Sequence, residues 1–252
     1  MNFELFPDVP CENVTASESL LWSDNGHCYT RHDVDVEFFA ADDACAAISG
    51  HLLTITSASE NAAVAALVVA PARTGFIESS SWIWLDGEPV PYENWGAAEP
   101  MACPTGAMSG LLTSDGTWTA TCVANRVHPF FCEIEPWLTR AADGHRYRIL
   151  WQRDDWFGSS ARCEELGGHL ATITSFDEAA FVAPILTDVV WLGANSSSGS
   201  FAWVTGESFG SYATWATNQP DGPAGQCLAS SSSQDWFDTA CTTTYHALCE
   251  VE

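Results

Sequence analysis

The stretch "FFAADDACAAISGHLLTITSASE", residues 38–60, decides how this chain is read, because it returns as "WFGSSARCEELGGHLATITSFDE" at residues 156–178. Cys45 then falls on Cys163, Gly50 on Gly168, His51 on His169 and Glu60 on Glu178, all at a shift of 118. Further along, "WLDGEPVPYENW" from Trp84 answers "WVTGESFGSYATW" from Trp203. Glu99-Pro100, Trp118, Cys122 and Cys132 likewise answer Gln219-Pro220, Trp236, Cys241 and Cys249. Matches this numerous at nearly one shift mean two copies of one domain, with a period far longer than solenoid repeats. Residues 1–135 are assigned to the first copy, which carries an N-terminal extension, and residues 144–252 to the second, with "EPWLTRAADG" between them.

Each copy opens with a helical pattern. In the second, Ala161, Cys163, Leu166 and Leu170 supply the apolar positions, and "LATITS" then alternates as a strand would. Ser175 followed by Glu178, and Ser57 followed by Glu60, have the spacing of a capping box that starts a second helix. Short strands, long loops and several tryptophans follow. The expected class is α+β, two helices and then short antiparallel sheets.

Composition narrows the function. Eight basic residues, all Arg, stand against 33 acidic ones, for a formal charge of −25. Nucleic-acid binders need a basic footprint and anionic membrane surfaces attract basic segments, so neither is an expected partner. No run approaches the ~18 apolar residues of a membrane span, so direct membrane insertion is not expected either. The first fifteen residues show no basic n-region or apolar core. Ten cysteines lie at wide spacings without a C-x-x-C pair, which reads as disulfides rather than zinc and places the protein outside the cell or on its surface. The N-terminus then reads as a mature form with an added Met. Asn13 and Asn195 open glycosylation sequons. His51 and His169, each just before a strand, are expected to be structural.

One further motif points to chemistry. "NQPDG", residues 218–222, sets an amide (Gln219) and a carboxylate (Asp221) on either side of a proline, an arrangement suited to a hard cation or a polar ligand. Taken together, the cysteine-bearing helix, "GGHLATITS", the capped second helix, "VWLGAN", "WVTGES", "YATWATNQPDG", "QDWFDTAC" and the closing "ALCEVE" resemble a C-type lectin-like domain. The resemblance covers residues 144–252 throughout and about 27–135 less faithfully. It implies the bridges Cys163–Cys249 and Cys227–Cys241, with Cys45–Cys132 and Cys103–Cys122 in the first copy. Cys11–Cys28 then closes the extension, and Arg146 stands where the second copy would have its own Cys28. It also implies that Gln219 and Asp221, flanking a cis proline, ligate Ca²⁺ together with Asp238, and that the same oxygens bind two sugar hydroxyls, in the manner of galactose-type members.

Departures from the family pattern weaken this site. Phe237 replaces an asparagine ligand, Gly225 a glutamate, and Gly222-Pro223 the aromatic that would stack on the sugar unless Trp215 or Trp236 serves instead. Calcium takes about six to eight oxygens, so water, Asp235 or Gln226 would have to complete the set, and the affinity expected is ~0.1–1 mM or weaker. In the first copy Met101 and "WTA" (118–120) remove the ligands, and no calcium site is expected there. The expected function is therefore extracellular recognition of a carbohydrate or glycoconjugate through a weak Ca²⁺ site in the second domain. The alternative is a calcium-independent scaffold for contact with a protein surface. No catalytic constellation is present, and no enzyme is expected.

Overall fold

The computed structural model describes residues 11, 14–103, 106–124, 126–197, 199–210, 212–223 and 226–252. The chain separates into two units that divide after Pro136.

The first unit runs β1 (Glu18–Leu21), β2 (Cys28–Val36), α1 (Phe38–Ala47), β3 (His51–Leu52), α2 (Ala58–Ala65), β4 (Ala72–Glu78), β5 (Trp82–Trp84), β6 (Met108–Leu112), β7 (Trp118–Cys122) and β8 (His128–Ile134). The second repeats this order as β9 (Leu138–Thr139), β10 (Arg146–Asp154), α3 (Trp156–Glu165), β11 (His169–Leu170), α4 (Phe176–Val182), β12 (Val190–Asn195), β13 (Ala202–Trp203), β14 (Gln226–Ser230), β15 (Trp236–Ala240) and β16 (Tyr245–Val251). Within each sheet the closing strand lies centrally, antiparallel to the opening strand and parallel to β4 or β12. The α+β class expected from the repeat is what is found. Residues 138–139, inside the stretch read as a connection, pair with β10.

Strand periodicity explains the core. Side chains alternate across a strand, so on β8 Phe130 and Cys132 pack against α1 while Phe131 turns to the opposite cluster of Tyr29, Phe76, Trp84 and Trp118. On β16 Ala247 and Cys249 repeat the first role and Leu248 the second. Four disulfides pair as the family resemblance implied, the remaining two cysteines form the expected Cys11–Cys28 bridge, and no cysteine is free. The glycines at the shared positions 50 and 168 are needed because a Cβ there would lie 2.4 Å from the Glu133 carbonyl oxygen and 2.0 Å from that of Glu250.

Three local expectations change. The "LATITS" strand is only His169–Leu170, because the amides of Thr172 and Thr174 donate to glutamate side chains instead of to a neighbouring strand. The capping boxes are half formed. Ser57 and Ser175 each accept the N–H of the glutamate three residues on, at 3.2 Å, but Glu60 and Glu178 reach past the cap to the N–H of Thr56 and Thr174, both at 2.7 Å. Leu166 caps the end of α3 and, like Ala161, is exposed rather than part of the helix's buried face, which is formed by Trp156, Ser159 and Cys163.

Candidate functional site

The long loop after β13 returns to the sheet at β15, and there the side chains of Gln219 and Asp238 meet the backbone of Asp221 and Gly222. Asp238, buried on β15, accepts the Asp221 N–H on Oδ1 at 2.9 Å and the Gly222 N–H on Oδ2 at 3.0 Å. In return, Gln219 Oε1 accepts the Asp238 N–H at 2.9 Å. Gly222 permits this approach, since a Cβ there would lie 2.5 Å from Asp238 Oδ2. The Gln219–Pro220 peptide is cis. Gln219 is half-buried, and Asp221 is exposed.

The first domain serves as an internal comparison. Glu99–Pro100 is also cis, and Glu99 Oε2 alone accepts both the Met101 N–H at 2.9 Å and the Ala120 N–H at 3.0 Å. Ala120 holds the place of Asp238. One carboxylate therefore ties the loop down in the first domain, whereas the second divides that task between Gln219 and Asp238.

The donor set of the second domain suits calcium in kind: hard oxygens, each carboxylate oxygen of Asp238 giving one lone pair to the backbone and keeping another. It is short in number, because three side chains cannot supply the six to eight oxygens calcium takes, about half of which must come from water or a bound ligand. Gln226 lies against Gly222, with its Cγ 2.8 Å from the position of the added Cβ, whereas Asp235 accepts from Ser233 within its own turn at 2.7 Å. Trp236 supplies no platform for a sugar, whereas Trp215 is half-buried. Trp236 is 2% exposed and Trp215 packs on it at 6.1 Å. Burying a ring of this size removes about 150–250 Å² from water, roughly 4–6 kcal/mol at 25 cal/mol per Å² as an upper bound. Phe237 packs edge-on against Tyr245 at 6.2 Å. Asn13, Ser198 and Gly225 lie outside the described residues.

A second constellation escaped the sequence reading. Tyr147 donates to Glu178 Oε1 at 2.6 Å and lies 2.9 Å from Glu250 Oε1, which also meets His145 Nδ1 at 2.6 Å. The acidic and imidazole atoms of His145, Glu178 and Glu250 fall within 4.8 Å of one another. In the first domain Tyr29 donates to Glu60 at 2.6 Å, and His27 Nδ1 lies 2.5 Å from Glu133. Burial alone would lower the histidine pKa values, but the hydrogen bond and charge of Glu133 or Glu250 hold His27 and His145 above the ordinary value. Burial also raises the Glu133 carboxyl and pushes both tyrosines far up. The cluster was visible as a second repeated pattern, His-x-Tyr at 27–29 and 145–147 with Cys-Glu at 132–133 and 249–250. His51 and His169 hold structural places, each with Nδ1 against the carbonyl of the following leucine at 2.8 and 2.9 Å.

The Lectin C-type domain family matches residues 34–134 and again 152–251. The chain belongs to that family, as a tandem pair. Among curated proteins, the type-2 ice-structuring protein of Hemitripterus americanus is 28% identical over 101 residues, 38% of this chain and 61% of that protein. Asialoglycoprotein receptor 2 of Homo sapiens is 27% identical over 150 residues, 56% of this chain and 44% of the receptor. The chain thus spans less than two thirds of the length of these relatives. Among solved structures, human lithostathine is 25% identical with a TM-score of 0.42, covering 46% of this chain and 98% of that one.

Proposed function

We propose that the second domain binds a carbohydrate of galactose type through a weakly held Ca²⁺ at Gln219, Asp221 and Asp238, and that the protein acts as an extracellular binder rather than an enzyme. The observation that carries this reading is the closure of the Gln219–Gly222 loop on the buried Asp238 carboxylate, which sets Asp221 and Asp238 in the places that Met101 and Ala120 hold in the first domain. A cation held by Asp238, Gln219 and the adjoining Asp221 would have further positions open to vicinal hydroxyls. Relatives whose names describe receptors for glycoproteins and mannose support the ligand class.

One observation favours a second reading, that of a calcium-free scaffold for protein contact. Glu99 makes the loop-to-strand bonds of Gln219 and Asp238 in a domain lacking the other carboxylates, so these bonds by themselves require no ion.

Thermal unfolding of the full chain distinguishes the two. The midpoint is measured in EDTA, in 5 mM Ca²⁺ (~5–50 times the ~0.1–1 mM dissociation constant of such modules), and in Ca²⁺ plus galactose. A ligand of the folded state must raise the midpoint by mass action. A rise with Ca²⁺, a further rise with galactose, and loss of both in Asp221→Ala would support the lectin reading. Identical midpoints in all three media would refute it and leave the scaffold.

A further inference from the structure

The two domains differ at one buried position in a way their shared fold does not demand. Arg73 on β4 pairs with Phe130, as Trp191 on β12 pairs with Ala247. His128 pairs with Val36, as Tyr245 pairs with Asp154. In the second domain this place is aromatic. Trp191 packs on Tyr245 at 5.0 Å and its Nε1 donates to the Asp154 carbonyl at 3.0 Å. In the first domain a guanidinium fills the same space: Arg73 Nε donates to the Val36 carbonyl at 3.3 Å, Nη1 to Ser109 Oγ at 2.9 Å, and Nη2 to the Arg126 carbonyl.

Arg73 is fully buried, and burying a charge costs several kcal/mol unless it is well paired. Arg31, Arg140, Arg153 and Arg162 all reach a carboxylate. Among the described residues, Arg73 and Arg126 form no ion pair, in a chain with 33 acidic residues to choose from. Glu37 acts on Arg73 and Asp35 on His128 only from a distance. Burial lowers the Arg73 pKa to about 10, which leaves it a cation at neutral pH. Burial and then the charge of Arg73 lower that of His128.

Arg126 and His128 line a cleft of about 420 Å³ with Thr121, Val127 and Met101 and the Cys103–Cys122 bridge in its wall, and Arg73 adjoins it through its bond to the Arg126 carbonyl. His128 Nε2 lies 3.4 Å from Thr121 Oγ1, and Met101 and Val127 expose apolar surface beside them. The volume falls in the range of small-molecule sites. We propose that the first domain binds a carboxylate or sulfate group of a small ligand in this cleft, with Arg126 and Thr121 as direct donors and Arg73 as the buried charge that holds the Arg126 segment in place. Met101 and Val127 would cover the ligand's apolar face. The site lies in the domain without the calcium motif and stands apart from the lectin reading.

The test uses the full chain, isotopically labelled and held at constant ionic strength, because its net charge of −25 repels anions over a distance set by salt. Sodium sulfate, methyl glucuronide and neutral methyl glucoside are titrated in turn while the signals of residues 121–128 are followed. Saturable shifts with a dissociation constant of ~1–10 mM are expected for at least one anion. The glucoside and the Arg126→Gln protein should each bind at least tenfold more weakly, and Thr121→Val should bind several-fold more weakly. A response to sulfate alone assigns the cleft to free or ester sulfate, and a response to glucuronide alone assigns it to a carboxylate on a sugar ring. No saturable shift with either anion, equal binding of the glucoside, or unchanged binding by Arg126→Gln would overturn the proposal.

Discussion

Replacing Glu250 with alanine removes the acceptor at the centre of the second domain's buried cluster. Glu250 is 1% exposed, accepts the Thr172 N–H at 2.9 Å and meets His145 Nδ1 at 2.6 Å, while the Tyr147 and Thr172 hydroxyls, at 2.9 and 3.2 Å, have shorter acceptors in Glu178 at 2.6 Å and Glu207 at 2.7 Å. The Tyr147 hydroxyl keeps Glu178 as a partner and His145 is 27% exposed, so those two recover part of their loss. The Thr172 amide has no such recourse, and a buried unsatisfied donor costs about 1–3 kcal/mol. Adding the break of a buried charged pair brings the expected loss to about 3–5 kcal/mol. Hydrogen exchange followed by mass spectrometry reads this locally. Protection in peptides covering residues 169–175 and 245–251 should fall by roughly two to four orders of magnitude. Glu252→Ala, at an exposed carboxylate 3.7 Å from His169, should change it by less than about 0.5 kcal/mol. A fall of under tenfold in Glu250→Ala, or one matching Glu252→Ala, would show that the cluster does not hold the domain together.

Two other outcomes follow from the same contacts. His27, His51 and His145 have folded pKa values above the ordinary value of about 6.5. A raised pKa contributes stability that is complete below the unfolded value and lost as pH rises through the folded one. Burial raises the Glu133 carboxyl in the same sense. Urea midpoints should therefore decline from about pH 6 toward pH 9, a decline reduced in His145→Gln; a midpoint that rises across this interval would contradict the assignment. Gly222→Ala places a Cβ 2.5 Å from Asp238 Oδ2, so the loop must move and give up its two N–H bonds to Asp238. The cost should be about 1–3 kcal/mol, with any Ca²⁺ response abolished, and unchanged stability would mean that the loop does not close on Asp238.

The repeat in the sequence determined much of the architecture. A helix whose cysteine recurs 118 residues later, serines three residues ahead of a glutamate, and tryptophans at matched places are local or periodic features, and each reports directly on secondary structure or burial. The disulfide pairing was legible only through family resemblance, since widely spaced cysteines do not encode their partners. Gln219, Asp221 and Asp238 were legible as residue types. Their mutual bonds were not, because whether Asp238 faces an ion or the backbone amides of Asp221 and Gly222 depends on how a long loop returns to a strand 16 residues on. The destination of the Glu60 and Glu178 carboxylates was hidden for the same reason. Spacing predicted a bond to the cap, and packing brought Tyr29 and Tyr147, more than 30 residues away in the chain, within 2.6 Å instead. Arg73 shows the limit most plainly. Nothing in its neighbouring sequence marks it as buried, and only the register that sets it in the place of Trp191 makes it a buried cation beside a cleft. Periodic patterns report which face of an element is covered; what covers it, and with what charge, is decided when distant segments meet.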